Sequence, residues 1–180
     1  MRARLGTTLL AVCTLPFTVV AVAPAQNPVS NAIRALARRQ TKNIVDAAEE
    51  MPADKYGYKP TPAQMTYGDV VAHLIKEGNN YLCSAASGIK QPDADKFTGA
   101  DPKDKLVAGL KASFKFCETV LGQIQDAQLG DSIDFFGGRK VTKAMAGLIT
   151  VADWADHYSQ MAIYLRLNGL LPPTAKKGMD

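Results

Sequence analysis

Histidine is scarce in this sequence, which has two histidines in 180 residues. The cysteines are spaced too widely for a CxxC redox motif, which excludes that type of dithiol site. Ser84 and Ser159 lie near the histidines, but no nucleophile-elbow pattern surrounds either serine. A nucleophilic Ser-His triad is therefore not expected. Chemistry that uses an imidazole depends on His73 or His157.

A strong excess of one charge is also absent. The chain has 21 basic and 17 acidic residues, a formal net charge of +4, and the two signs are interspersed. This balance argues against nucleic acid as a partner. Arg34, Arg38 and Arg39 form the densest basic cluster, which we interpret as a solvated helix face. The hydrophobic content of 47% suits one domain with a proper core.

Long apolar runs are absent except at the start of the chain. Residues 5–22 are apolar, Arg2 and Arg4 precede them, and small residues lead up to Ala25. This order predicts a signal peptide over residues 1–25. A membrane anchor is the alternative, because the run has nearly the length that a membrane span needs.

Cleavage after Ala25 gives a mature domain of residues 26–180. No later stretch is apolar enough to span a membrane, so we expect no stable membrane insertion after cleavage. The protein is therefore expected to be exported, either to a periplasm or to the medium.

The cysteines that remain after signal cleavage are Cys83 and Cys117. An even number of cysteines in an exported protein is typical of a disulfide, and both residues lie in stretches that indicate helices packed together. The bond would close a loop of about 35 residues and contribute roughly 3 kcal/mol. Two separate buried thiols are the alternative.

Apolar residues recur at intervals of three and four in four long stretches, the spacing of amphipathic helices. Thr66 and Asp69 suggest an N-cap and a capping box at the start of the second stretch. Between the third and fourth stretches, Gly137-Gly138 indicates a turn. We predict an all-α fold, a four-helix bundle with a short hairpin or extended crossover before the last helix. The predicted helices cover residues 29–50, about 66–88, about 102–126 and about 142–168.

Two of these helices carry the candidate site. His73 lies between apolar positions of the second helix and is expected to face inward. Asp153 and His157 are four residues apart in the last helix, so one turn places them side by side. If the two helices are neighbours, the three side chains converge. The alternative is a buried histidine satisfied by a hydrogen bond and an aspartate that is solvated or ion-paired.

The order of these residues resembles the DinB-like superfamily of four-helix metalloenzymes. The similarity is carried by the histidine in the second helix, by His157-Tyr-Ser-Gln160, and by the ending from Tyr164 to Pro173. In that family three histidines typically hold a divalent metal, one from the second helix and two, four residues apart, from the last. The resemblance implies that His73 and His157 are metal ligands. Asp153 stands where the family has its remaining histidine.

Two imidazoles and one carboxylate are a sound ligand set for a divalent metal, with zinc or nickel expected first and iron or manganese as alternatives. Three protein ligands leave positions open for water, as in catalytic sites. Glu77 and Gln160 are the candidate catalytic residues. We therefore expect an exported metal-dependent hydrolase or transferase that acts on a small molecule. The alternative is a non-catalytic binding or structural module that has lost the metal. An exposed face of the first or last helix is a candidate surface for a homodimer.

Overall fold

The computed structural model describes residues 26–89 and 96–176. The signal peptide predicted for residues 1–25 lies outside the described residues and stays a prediction. Within the described part of the chain, no helix is both long enough and apolar enough to cross a membrane.

The described residues form a helical bundle, which confirms the predicted all-α class. The second bundle helix is continuous but composite: the short helix α2 runs directly into a π-helical segment, which runs directly into α3. The helical elements are α1 (Pro28–Glu50), α2 (Tyr67–His73), the π-helical segment (Leu74–Tyr81), α3 (Leu82–Ser87), α4 (Lys103–Gln123), α5 (Lys143–Leu167) and the short α6 (Pro173–Lys176).

Helix starts and stops follow local capping chemistry. The Thr66 hydroxyl accepts a hydrogen bond from the Asp69 backbone N–H, and the Asp69 carboxylate accepts one from the Thr66 backbone N–H, which confirms the predicted capping box. Thr142 is the N-cap of α5, and its hydroxyl accepts a hydrogen bond from the backbone N–H of Met145. Gly88 ends α3 with φ of 75°, a left-handed conformation that costs glycine little.

The short hairpin before the last helix is present as predicted. Strand β1 (Ser132–Asp134) pairs antiparallel with strand β2 (Lys140–Thr142). Gly137 and Gly138 lie in the turn with φ of 66° and 72°. The left-handed conformation of both residues explains why glycine occupies them.

The third bundle helix is shorter than the sequence predicted. It ends at Gln123 rather than near Asp126, because Asp126 has another role. The Asp126 carboxylate accepts hydrogen bonds from the backbone N–H groups of Val29 (3.0 Å) and Ser30 (2.8 Å) at the start of α1. Asp126 thereby satisfies donors that a helix N-terminus leaves unpaired, through a contact that helical periodicity does not encode.

The core lies where α1 packs against α5 and α4, and where α4 packs against the second bundle helix. Cys83 of α3 and Cys117 of α4 are fully buried in it and lie at disulfide distance, with Cα atoms 5.3 Å apart. The expected pair of cysteines therefore joins two neighbouring bundle helices. The largest fully buried side chains are Trp154, Tyr67, Tyr164, Phe114, Ile44 and Met51.

Candidate metal centre

His73 is the last residue of α2 and lies where the helix changes to π-helical geometry. Its side chain is partly exposed, and its Nδ1 atom is 3.4 Å from Oε2 of Glu77. Since the two residues are four apart on the same helix, the Glu77 carboxylate lies directly beside the imidazole. This contact places a carboxylate beside Nδ1, and a proton on Nδ1 would leave the lone pair of Nε2 for a metal.

His157 projects from α5 and is held by its own helix. Its Nδ1 atom is 2.8 Å from the backbone carbonyl oxygen of Asp153 and 3.6 Å from the Asp153 Oδ1 atom. A carbonyl oxygen only accepts hydrogen bonds, so Nδ1 of His157 is the donor and carries the proton. In the neutral imidazole, Nε2 of His157 then carries the free lone pair, the form that binds metals.

The two imidazole rings meet between the second bundle helix and α5. The ring centroids of His73 and His157 are 4.8 Å apart with an interplanar angle of 24°, a stacked arrangement. Because Asp153 contacts His157, the structure brings the three side chains predicted from the sequence to one place.

Asp153 has one carboxylate oxygen without a partner. Its Oδ2 atom is buried and accepts no hydrogen bond within the described residues. Burial raises the pKa of this carboxyl, while the nearby His157 and His73 act in the opposite direction. Gly78 of the π-helical segment lies against this oxygen, since a Cβ atom placed there would be 3.1 Å from Oδ2. The absence of a side chain at Gly78 leaves room around the unpartnered oxygen.

The donor set suits a divalent metal, although it is not assembled into a closed cluster. Within residues 26–89 and 96–176, no group of three or more His, Cys, Asp or Glu side chains is arranged to hold a metal ion. The fit rests on the chemistry of the donors. Each histidine has a contact at Nδ1, which leaves its Nε2 atom for a metal, and Asp153 has a buried oxygen without a partner among the described residues. His73, Asp153 and His157 therefore fit a divalent ion in donor type.

The two candidate catalytic residues lie on opposite sides of the imidazole pair along their helices. Glu77 is exposed over about two thirds of its side chain (63%) and contacts His73. Gln160, three residues after His157, has its amide Nε2 3.4 Å from the Tyr164 hydroxyl. That hydroxyl donates to the backbone carbonyl of Met65 at 2.9 Å. Gln160 and Tyr164 are thus engaged in structural contacts, whereas Glu77 lies at the site.

The family of this chain follows from its sequence as a whole. The DinB superfamily model matches residues 36–161, which include His73, Asp153 and His157. This chain belongs to the DinB superfamily.

Individual DinB-superfamily proteins are similar over most of the chain. The uncharacterized protein YjoA of Bacillus subtilis strain 168 is 26% identical over 138 residues, which are 74% of this chain and 86% of YjoA. The structure of a DinB-like protein from Bacillus cereus ATCC 10987 superposes with a TM-score of 0.65 at 18% identity, over 79% of this chain and 95% of that one. Both similarities extend over nearly the whole bundle.

An enzyme is also among the structural relatives. The mycothiol-dependent maleylpyruvate isomerase superposes with a TM-score of 0.60 at 14% identity, over 73% of this chain and 60% of the isomerase. At this identity the superposition shows a shared fold and does not transfer the reaction.

Sequence reasoning about this DinB-superfamily chain missed Gly78 and the π-helical segment around it. A glycine inside a helix costs about 1 kcal/mol relative to alanine, so a mid-helix glycine is a signal that packing or function needs the space. Short π-helical segments occur often at functional sites. Gly78 fits both descriptions, because it lies against Asp153 Oδ2 and its carbonyl accepts a hydrogen bond from Trp154 Nε1 at 3.3 Å.

Proposed function

We propose that this DinB-superfamily protein is a metal-dependent enzyme of hydrolase or transferase type. Its divalent ion is held by Nε2 of His73, Nε2 of His157 and the carboxylate of Asp153. The observation that carries the proposal is the buried Asp153 Oδ2 atom, which has no partner among the described residues and lies beside two imidazoles whose Nδ1 atoms are engaged. A buried anion in this position is stabilised by a cation.

The residues around the rings have distinct roles in this proposal. The Asp153 backbone carbonyl orients His157, and the Glu77 carboxylate orients His73. We assign Glu77 this positioning role, because its Oε2 atom faces His73 Nδ1 rather than Nε2. Gly78 keeps the space beside Asp153 open. A divalent ion bound there supplies Lewis-acid polarisation of a substrate oxygen or lowers the pKa of bound water.

Two imidazole nitrogens and one carboxylate oxygen suit zinc or nickel best, with iron and manganese as further candidates. In the structure the two rings are stacked.

The isomerase that shares the fold supports an enzymatic role in general, while the hydrolase or transferase class rests on the ligand set. That protein is a mycothiol-dependent maleylpyruvate isomerase, and the shared bundle covers 60% of its chain. The substrate of the present chain is a small molecule of unassigned class. Its reaction is proposed from the ligand set alone.

Export of the mature domain, residues 26–180, is part of the proposal. Cys83 and Cys117 are buried at disulfide distance. Disulfides of this kind persist in oxidising compartments and are rare in the cytosol. The pairing supports a periplasmic or secreted location.

Elemental analysis of the mature protein, purified without a metal-binding tag, tests the metal directly. Near-stoichiometric metal is expected in the wild type, with a large loss in Asp153→Ala and in His157→Ala. Asp156→Ala is the matched control, because Asp156 is an exposed aspartate of the same helix. Equal metal content in Asp153→Ala and Asp156→Ala would overturn the ligand assignment.

A non-catalytic binding module is the second candidate function. It is favoured by one observation, that the described residues contain no assembled group of metal ligands. Titration of the apoprotein with zinc, nickel, manganese and iron separates the two. Saturable uptake at one equivalent supports the enzyme, and no uptake of any of the four supports the binding module.

A further inference from the structure

A groove of about 410 Å³ runs along the seam between α1 and α4. It exists because α1 presents small or short side chains there: Ala37, Thr41 and Val45 follow one another at intervals of four residues, on one face of the helix. Longer side chains at these positions would close the seam. The volume lies within the range of small-molecule binding sites.

The floor of the groove is apolar. At its base lie Phe114 of α4 and Trp154 of α5, which are 2% and 1% exposed and have ring centroids 5.0 Å apart in an edge-to-face contact. Leu121 extends it along α4. Trp154 donates its indole N–H to the carbonyl of Gly78, so its one polar atom is already engaged. The floor therefore favours an apolar chain or ring.

The rim of the groove is cationic. Five basic side chains line it against two carboxylates. Three of the five are already bound: Lys42 to Asp46, Lys111 to Glu49, and Arg34 to backbone carbonyls at the end of α4. The basic residues are Arg34, Arg38, Lys42, Lys111 and Lys115, and the carboxylates are those of Asp46 and Glu118.

Arg38 and Lys115 are the cations left over. They are exposed and project from the two helices that form the groove, Arg38 from α1 and Lys115 from α4. Neither side chain has an ion-pair or hydrogen-bond partner in the part of the chain that the structure describes. Of the two lining carboxylates, Asp46 pairs with Lys42, and Glu118 has no ion pair among the described residues, so the unpaired groups leave a net charge of +1. This positive charge above an apolar floor matches a ligand that joins an anionic head to an apolar body.

We infer that this groove binds an amphipathic carboxylate, with the apolar body over Phe114 and Trp154 and the carboxylate between Arg38 and Lys115. This assignment changes the interpretation of the basic cluster on α1. Arg38 faces the groove, while the adjacent Arg39 does not line it and remains a solvated charge.

The groove is separate from the candidate metal centre. Trp154 lines the groove and its neighbour Asp153 lies at the imidazoles; consecutive helical residues point in directions about 100° apart. None of His73, Asp153 and His157 lines the groove. Binding there therefore uses none of the three proposed metal ligands.

Calorimetric titration with dodecanoate, below its micellar concentration, tests the inference. Trp154 is the one tryptophan of the sequence, so its fluorescence reports on the floor at the same time. We expect saturable one-site binding with a change in Trp154 emission. The affinity should fall at least tenfold in the double variant Arg38→Gln/Lys115→Gln, and it should be unchanged in Arg39→Gln, the matched control.

Two further measurements test the charge preference of the groove and its independence from the metal centre. Dodecyltrimethylammonium, which has the same chain and a cationic head, should bind at least tenfold more weakly than dodecanoate. His157→Ala should bind dodecanoate as the wild type does, even if it has lost metal. The inference is overturned by no saturable binding, by equal affinity for the two amphiphiles, by an affinity that Arg38→Gln/Lys115→Gln leaves unchanged, or by loss of binding in His157→Ala.

Discussion

At the scale of single residues, Asp153 is the carboxylate with a buried oxygen that has no partner among the described residues. A buried oxygen that accepts no hydrogen bond costs about 1–3 kcal/mol. Oδ2 of Asp153 is such an atom among the described residues, and burial raises the pKa of its carboxyl. Native proteins seldom retain a cost of this kind without a use for the group. A metal ligand is the use that the neighbouring His73 and His157 make chemically consistent.

Glu77 offers a test of how the imidazole of His73 is oriented. Its carboxylate lies 3.4 Å from His73 Nδ1. Glu77→Ala should lower zinc affinity by about 10- to 100-fold, the usual effect of removing the partner of a metal-binding histidine. Glu77→Gln should lower it less, because the amide oxygen keeps an acceptor beside His73 Nδ1. A competition titration with a chromogenic chelator measures all three affinities. Equal affinities in Glu77→Ala and the wild type would show that Glu77 does not position His73.

Tyr67 is expected to make the free energy of unfolding fall as the pH rises through the alkaline range. Its side chain is fully buried, its hydroxyl donates to the Ala47 carbonyl at 2.6 Å, and burial raises its pKa above the ordinary value of 10.0. The fold thus favours the neutral phenol, so this contribution is complete below about pH 10 and is lost as the pH rises towards the folded-state pKa.

The free energy of unfolding should therefore fall more steeply between about pH 9 and pH 11 in the wild type than in Tyr67→Phe. Urea unfolding at several pH values measures both slopes, and the lysines contribute equally to each. Parallel slopes would contradict the proposed burial of this phenol.

At the scale of elements, the helices could be predicted because each buries one apolar face, and the three- and four-residue spacing records that face directly. Thr66 and Gly137-Gly138 marked a helix start and a turn by chemistry that is local to the chain. The π-helical segment could not be predicted, because Leu74, Ile75 and Leu82 satisfy an α-helical pattern equally well.

The candidate metal centre could be predicted in part from the sequence, whereas the groove could not. The ligand candidates could be named because Asp153 and His157 lie one turn apart and His73 lies on an apolar face. Each Nδ1 atom contacts a residue four positions away on its own helix, whereas the room at Gly78 and the unpartnered Oδ2 atom depend on how helices pack, which spacing does not encode. The groove was missed for the same reason, since it depends on the gap between α1 and α4.

Two helical glycines form a matched pair that tests the packing of α2. A Cβ atom at Gly68 would collide with the backbone carbonyl oxygen of Gly99, whereas a Cβ atom at Gly122 of α4 would meet open space. Gly68→Ala should destabilise the protein by about 1–3 kcal/mol, since backbone must move. Gly122→Ala should stabilise it by about 0.5–1 kcal/mol through helix propensity. Urea unfolding of both variants measures the sign of the change in unfolding free energy for each. Equal effects would mean that α2 and the loop at Gly99 are not in close contact.

At the scale of the whole molecule, the disulfide joins two bundle helices across a long loop. Cys83 and Cys117 are 34 residues apart in sequence and fully buried. The variant Cys83→Ala/Cys117→Ala should lose about 2–4 kcal/mol of unfolding free energy, because the unfolded chain gains freedom. The wild type in a strong reductant should lose a similar amount. A loss below about 0.5 kcal/mol would show that the bond is not formed in solution.

The bundle carries its two candidate sites on different sides of α5. Asp153 and His157 are on the side of α5 that faces the second bundle helix. Trp154 is on the side that lies under the groove between α1 and α4. The DinB-superfamily fold accounts for the position of the helices, while the chemistry depends on the side chains that each face presents. Metal binding and carboxylate binding are therefore expected to be lost through different substitutions.

The two histidines of the sequence make one measurement especially direct. Long-range nitrogen–proton NMR of ¹⁵N-labelled, untagged protein of residues 26–180 resolves four imidazole nitrogens, and His157→Ala assigns them. On adding one equivalent of zinc, both Nε2 resonances should shift to metal-bound positions while both Nδ1 atoms stay protonated. In Asp153→Ala the same addition should leave them unshifted. If the Nε2 resonances of the wild type do not shift when zinc is added, the metal centre on His73, Asp153 and His157 is contradicted.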